Sequence, residues 1–370
     1  MDWRVLRLRL AKPLVTSHQT VSDRAILVLS VTVDMGGSTA VGYGEVAPLA
    51  GWTSLSVDHA VQVLSTMAQS PACQKPFRLA NDGLNEMFSG LRDTPSVRFG
   101  LELALLDALA RHADCPLREV LAPPGHRPSD RVELQYACGI ADIDETVERA
   151  GRAVESGYSH LKLKVGASDL DAEVRRLKAV RKEVAELGLR LDANGAFDFS
   201  EARRFIDRTE ALGIDLFEQP LAAADLSGLN KLADISAIDI GADESCAPIA
   251  RARQLIEAGR IDALVIKPAA VGGLLPTISL IEAARERNIR VVLSTLLESA
   301  IGRRAIAELA AAHPYIAGPQ GLATGDWFVT DVTDTPDSIA DGHWLLDGQP
   351  GIGFSPRVEG QPCFDAGGPS

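Results

Sequence analysis

The chain has 370 residues, 46% of them hydrophobic and 24% charged, a length that suits two domains of ordinary size better than one small core. Its net charge of −13 argues against nucleic acid or an anionic membrane as partner, because such a field repels polyanions and no basic stripe overrides it. The densest basic run, Arg175, Arg176, Lys178, Arg181 and Lys182, is interspersed with Glu173, Glu183 and Glu186, as on a solvated helix face. Nothing approaches the ~20 continuous apolar residues of a membrane span. Five scattered cysteines without a CxxC pair fit a reduced, cytoplasmic protein, and Cys246 reads as a packed thiol.

The first ~125 residues read as strands followed by helices, an α+β arrangement. MDWRVLRLRL alternates with period two, which is a half-buried strand rather than a signal peptide. Further strands are expected near Ala25 to Val33 and Thr39 to Val46, joined by the turn-prone DMGGS. Residues 55–69, 78–91 and 96–113 carry helical periodicity, and Ser96, after Pro95, is placed to cap the last of them. The Pro- and Gly-rich APPGHRPSD, residues 122–130, marks the expected boundary between a domain over 1–125 and a second over 126–326.

From about residue 131, short apolar strands alternate with amphipathic stretches. VELQYACGI, HLKLKVG, LRLDANG, IDLFEQP, DIGADES, ALVIKPA, RVVLSTLLE and GPQGLAT make eight candidate strands. Eight βα-type steps in ~200 residues suit a closed α/β barrel, and no GxGxxG follows any strand to favour an open dinucleotide-binding sheet. The segment from Trp327, about 327–370, lacks this alternation, and its loops and short strands could return to complete the first domain.

Three carboxylates close successive strands at almost even spacing: Asp192, Glu218 (26 residues on) and Asp243 (25 further). In a parallel βα series they meet at one rim, the C-terminal strand ends where barrel chemistry sits. Hard oxygen donors without His or Cys favour Mg²⁺, with Mn²⁺ also admissible, and a substrate carboxylate is the natural further ligand. The same acids could instead cap helices or pair at the surface, but three in register argue against that. Lys164 ends the strand before Asp192 and Lys267 the strand after Asp243, so two amines could approach a carbon acid from its two faces. Lys162, two residues before Lys164 on the same strand face, supplies a second cation that would make Lys164 a better base.

Around this set, Asn194 and Glu244 are placed to orient ligands, and Arg190, two residues before Asp192, to pair with one of the acids. Glu298, closing STLLES, could touch substrate or Lys267, or simply initiate a helix; Ser294 and Thr295 lie in the same segment. The seven histidines show no ligand spacing, and His18 in PLVTSHQTVSD is the one placed to line the site.

The motifs KLKVG (162–166), LDAN (191–194), FEQP (217–220), ADES (242–245) and VIKP (265–268) together resemble the enolase superfamily, specifically its muconate lactonizing subgroup, over nearly the whole chain. The resemblance implies an α+β capping domain, completed by the C-terminal tail, over a modified TIM barrel of the (β/α)7β type. It also implies Mg²⁺ on Asp192, Glu218 and Asp243, with Lys164 and Lys267 as the acid/base pair. Within the subgroup, GYGEVAPLAGWT (42–53), SVRFGLELALLDAL (96–109) and STLLESAIG (294–302) are similar to the o-succinylbenzoate synthase family of menaquinone biosynthesis. That similarity implies a syn elimination of water from a small carboxylate substrate, with Gly51, Trp52 and the loop Thr16 to Arg24 shaping the pocket. N-succinylamino acid racemases and cycloisomerases share the scaffold and stay open, as does a homo-oligomer. Dipeptide epimerases of the subgroup carry an Asp-x-Asp element at the eighth strand, from which GLATGDW, with Asp326 alone, departs.

Overall fold

The computed structural model describes residues 1–15, 20–53, 55–70, 84 and 87–357. Three long strands, β1 (Asp2–Val15), β2 (Thr20–Asp34) and β3 (Thr39–Val46), form an antiparallel sheet in chain order. Trp3 pairs with Leu29, and Leu29 with Gly44. Helix α1 (Val57–Ala68) starts at Ser56, whose side chain accepts from the His59 N–H. Helix α2 (Pro95–His112) lies directly on β3. That approach needs the glycines of VGYGEV, because a Cβ at Gly44 would fall 1.9 Å from the Gly100 carbonyl oxygen and one at Gly42 2.0 Å from that of Ala104.

Two expectations change here. Thr94, not Ser96, is the residue before α2, and it makes no side-chain cap; Pro95 already takes the first helical position, so Ser96 lies inside the helix and is buried. Of the helix expected over 78–91, most lies outside the described residues, and Ser89–Leu91 forms a single 3₁₀ turn.

After the short α3 (Leu117–Leu121) comes β4 (Arg131–Glu133), and then β5 (Tyr136–Gly139), β6 (His160–Lys164), β7 (Gly188–Asp192), β8 (Ile214–Glu218), β9 (Ile240–Ala242), β10 (Ala263–Ile266) and β11 (Arg290–Leu293). β5 to β11 pair in parallel in chain order, each strand beside the next. Crossover helices α4 (Ile143–Glu155), α5 (Leu170–Glu183), α6 (Phe199–Thr209) and α7 (Leu226–Ile235) each begin on an aspartate, Asp142, Asp169, Asp198 and Asp225, whose carboxylate accepts an N–H of the first turn. The series ends with α8 (Ile249–Ala258), α9 (Pro268–Val271), α10 (Leu274–Arg285) and α11 (Ala300–Ala312).

VELQYACGI is not one strand. It breaks between β4 and β5, and β4 pairs antiparallel with β13 (His343–Leu345), which in turn pairs with β12 (Ile339–Ala340). GPQGLAT forms no strand of its own; its middle makes two isolated parallel bridges, Gln320 with Leu134 and Gly321 with Ser294. Those bridges join the two edges of the parallel sheet and close the ring. Beyond them the chain touches the first sheet, where Phe328 bridges Leu10 and the Val329 N–H donates to Arg9. Among the described residues no helix is long and apolar enough to cross a membrane.

Candidate active site

Parallel register sets the heights of the polar groups. Lys164, Asp192 and Glu218 are the last residues of β6, β7 and β8, paired Lys164 with Asp192 and Asp192 with Glu218. Asp243 and Lys267 directly follow β9 and β10. The three acids are buried, and one carboxylate oxygen from each lies within 4.8 Å of the others.

The lysines lie around this cluster. Lys162 donates to Glu218 Oε1 at 2.6 Å and sits 2.9 Å from Asp192 Oδ2, while Lys164 donates to the same Oδ2 at 2.8 Å and to Asn194 Oδ1. The two amines of the K-x-K pair thus share an acid. Burial opposes the charge of Lys162, but Asp192, Glu218 and Asp243 together outweigh it and raise its pKa. Lys267 pairs with Asp243 on the far side, its Nζ 3.8 Å from the centre of the Trp52 ring. An aromatic face stabilises an ammonium by about 0.5–2 kcal/mol. Trp52 therefore reaches the site from the loop after β3, with Gly51 exposed beside it.

The acids crowd one another. Burial first, and the Asp192 charge next, push Glu218 up to about 8; burial, with Glu244 and Asp192 adding to it, pushes Asp243 up to about 6. Asp192 is held low despite its burial, because Lys162 and Lys164 both reach it. Three buried carboxylates converging on one point, with no His or Cys among them, fit a hard divalent cation, which would relieve the crowding.

Asn194 and Glu244 join the cluster as a chain: Lys164 donates to the Asn194 carbonyl, and the Asn194 amide donates to Glu244 Oε1 at 2.8 Å. Arg190 does not pair with the site acids. It donates to Asp215 at 3.0 Å, Gln135 at 2.9 Å and the Pro319 carbonyl at 2.7 Å. Two residues along a strand keep a side chain on one face but move it ~6.6 Å down the barrel, and Arg190 belongs to the lower layer. Glu298 contacts its own loop, accepting from the Leu296 N–H at 2.5 Å; burial, then Glu45, raises its pKa to about 7. Ser294 donates to the Gly321 carbonyl, and Thr295 meets Thr324. Cys246 is buried and donates to the Ala242 carbonyl, as a packed thiol would. His18 lies outside the described residues.

Three supports were not anticipated. Gln219 Oε1 accepts from the N–H groups of Asp243 and Ser245, which fixes the turn after β9 to the turn after β8. Glu45 accepts from Ser299 N–H and Oγ and from the Gly302 N–H, so a carboxylate of the first sheet sits on the N-terminus of α11. Arg24 donates to the carbonyls of Ala47, Pro48, Leu296 and Leu297 and clamps the loop leading to Trp52 onto the STLLES segment. Gln219 lies in the FEQP motif, Glu45 in GYGEVAPLAGWT and Arg24 at the end of the loop from Thr16, but none of these contacts was read from them.

Comparison with known proteins gives the family and the fold. L-Ala-D/L-Glu epimerase of Bacillus subtilis (strain 168) is 29% identical over 93% of each chain, and its substrate-liganded structure superposes with a TM-score of 0.84 over 95% of this chain and 97% of that one, at 27% identity. The o-succinylbenzoate synthase of Desulfotalea psychrophila (strain LSv54 / DSM 12343) is 28% identical over 94% of this chain and 98% of that protein. N-succinylamino acid racemase of Amycolatopsis sp is 28% identical over 97% and 95%. Residues 145–360 match the enolase C-terminal domain-like family. The chain belongs to that family, within the muconate lactonizing enzyme subgroup of the enolase superfamily.

Proposed function

We propose that the chain is a Mg²⁺-dependent o-succinylbenzoate synthase, dehydrating a succinyl-hydroxycyclohexadiene carboxylate through an enediolate. Asp192, Glu218 and Asp243 would hold the cation, whose charge, when bound, offsets the negative charge that develops on the substrate carboxylate. Lys164 takes the α-proton, and the C–H electrons pass into the carboxylate. As they return, the C–O bond to the hydroxyl on the same face breaks, and the Lys164 ammonium gives its proton to the departing hydroxide. Water leaves and the ring becomes aromatic.

The observation that carries this reading is the asymmetry of the two lysines. Asp192 and Asp243 belong to the cation, so the contact left to Lys164 is the neutral Asn194 amide oxygen, and that left to Lys267 is the Trp52 face. An amide oxygen accepts a proton-bearing amine in either charge state, whereas an aromatic face favours the cation. Lys164 is suited to exchange a proton and Lys267 to remain charged, as a one-base elimination needs. Racemisation of an N-succinylamino acid is the second reading, supported by the placement of the lysines at opposite ends of the acid cluster.

Incubating the protein and Mg²⁺ with the cyclohexadiene substrate in one vessel and an N-succinylamino acid in D₂O in another separates the two. Aromatic product at a kcat/KM well above that of amino acid exchange supports the synthase. Exchange without any aromatic product defeats it.

A further inference from the structure

Arg24, in β2 of the first sheet, is only 3% exposed and directs its guanidinium at four backbone carbonyls. Nη1 donates to Pro48 and Nη2 to Ala47, each at 2.8 Å, while Nη2 also reaches Leu296 at 3.2 Å and Nε reaches Leu297 at 3.3 Å. The acceptors divide evenly between the segment that leaves β3 and the segment that leaves β11. On the first side, the carbonyl of the buried Leu49 accepts from the N–H groups of Trp52 at 3.1 Å and Thr53 at 3.0 Å. Arg24 thus fixes the base of the turn that brings the Trp52 ring to 3.8 Å from Lys267 Nζ. On the barrel side Leu297 has φ +58°, a left-handed conformation that strains a bulky side chain. Arg24 on its carbonyl, and Glu298 Oε2 accepting from the Leu296 N–H at 2.5 Å, hold that turn in place.

We propose that Arg24 is a positioning residue for the reaction: by tying the Trp52 turn to the rim of β11, it sets the aromatic ring against Lys267 before any ligand binds. This role rests on Lys267 serving as the cation of the reaction proposed above. The task needs a guanidinium, whose three nitrogens present donors in one rigid plane toward two separate segments. A lysine at the same place keeps the charge, but its single nitrogen cannot span both pairs of carbonyls. Misplacing a catalytic group by about 1 Å costs up to about 10²-fold in rate, and a displaced support for Lys267 is expected to cost about tenfold. If Arg24 served only to staple the first sheet to the barrel, its effect on rate would be independent of Trp52.

The test is a double-mutant cycle of Arg24→Lys with Trp52→Ala, on the full chain carrying 5-fluorotryptophan. Arg24→Lys should move or broaden the ¹⁹F resonance of Trp52, assigned as the one lost in Trp52→Ala, while those of Trp3 in β1 and Trp344 in β13 stay in place. It should also lower kcat about tenfold, for whichever of the two substrates is turned over, without changing Mg²⁺ affinity. In the Trp52→Ala background the same substitution should lower kcat less than about twofold, because what Arg24 positions is already gone. Additive losses, or an unmoved Trp52 resonance in a folded Arg24→Lys, would overturn the proposal. The native chain tests it even where Arg24→Lys does not fold: its Trp52 resonance should be single and narrow without Mg²⁺ or substrate, and a ring that samples several environments there would equally overturn it. The ¹⁹F readings need no substrate, so they decide the role of Arg24 even if no dehydration is observed.

Discussion

Two layers of charge lie at different heights of one barrel, and neighbouring residues of the same strands feed both, the lower layer reaching the surface through Arg290 and Asp239. In the lower layer Arg190 holds Asp215 at 3.0 Å, while Arg290 holds the other oxygen of Asp215 at 3.1 Å and Asp239 at 2.8 Å. The upper layer has three acids and three amines, with Lys162 and Lys164 sharing one oxygen of Asp192. A guanidinium keeps its proton and pins carboxylates with several donors; an amine is a single point that can give its proton up. The lower layer is thus a brace anchored on the buried Arg190, and the upper is a set of acids held together by donors that a cation and a substrate can replace.

This contrast can be broken or sharpened by substitution. Lys267→Ala should lower kcat by about 10²–10³ with a much smaller change in KM, since it removes a charge needed most as the substrate becomes anionic. Equal losses in both constants would assign Lys267 to ground-state binding. Glu218→Gln, at the centre of the acid cluster, should weaken Mg²⁺ binding at least about a hundredfold by calorimetry. Unchanged affinity would move the cation elsewhere.

Smaller effects test the supports. Asn194→Ala should lower kcat roughly tenfold and displace the pH–rate profile, because Asn194 acts through Lys164; a purely structural role would lower the rate equally at every pH. Arg190→Met should leave kcat within about twofold and cost about 1–3 kcal/mol of stability in urea, since Asp215 keeps Arg290 as partner. A large loss of turnover in a folded Arg190→Met would erase the distinction between the two layers.

The upper layer was legible because each polar residue closes an apolar run and the runs recur at the length of one βα step. The lower layer was not, because alternation reports which face a side chain takes but not its height, and this is why Arg190 read as a neighbour of the acids. The eighth stave was harder still: two bridged residues, Gln320 and Gly321, close the ring without the pattern of a strand. Glu45 and Arg24 act across 254 and 273 residues of sequence, and no local pattern announces such contacts.

The central claim is that Lys164 is the base beside a cation-holding acid cluster. Exchange of the α-proton of a carboxylate substrate with D₂O, or formation of the elimination product, measured with Mg²⁺ for the wild type, Lys164→Ala and Lys267→Ala, tests it most directly. The account predicts proton removal in the wild type, slower removal in Lys267→Ala and none in Lys164→Ala. Proton removal retained in Lys164→Ala would contradict it.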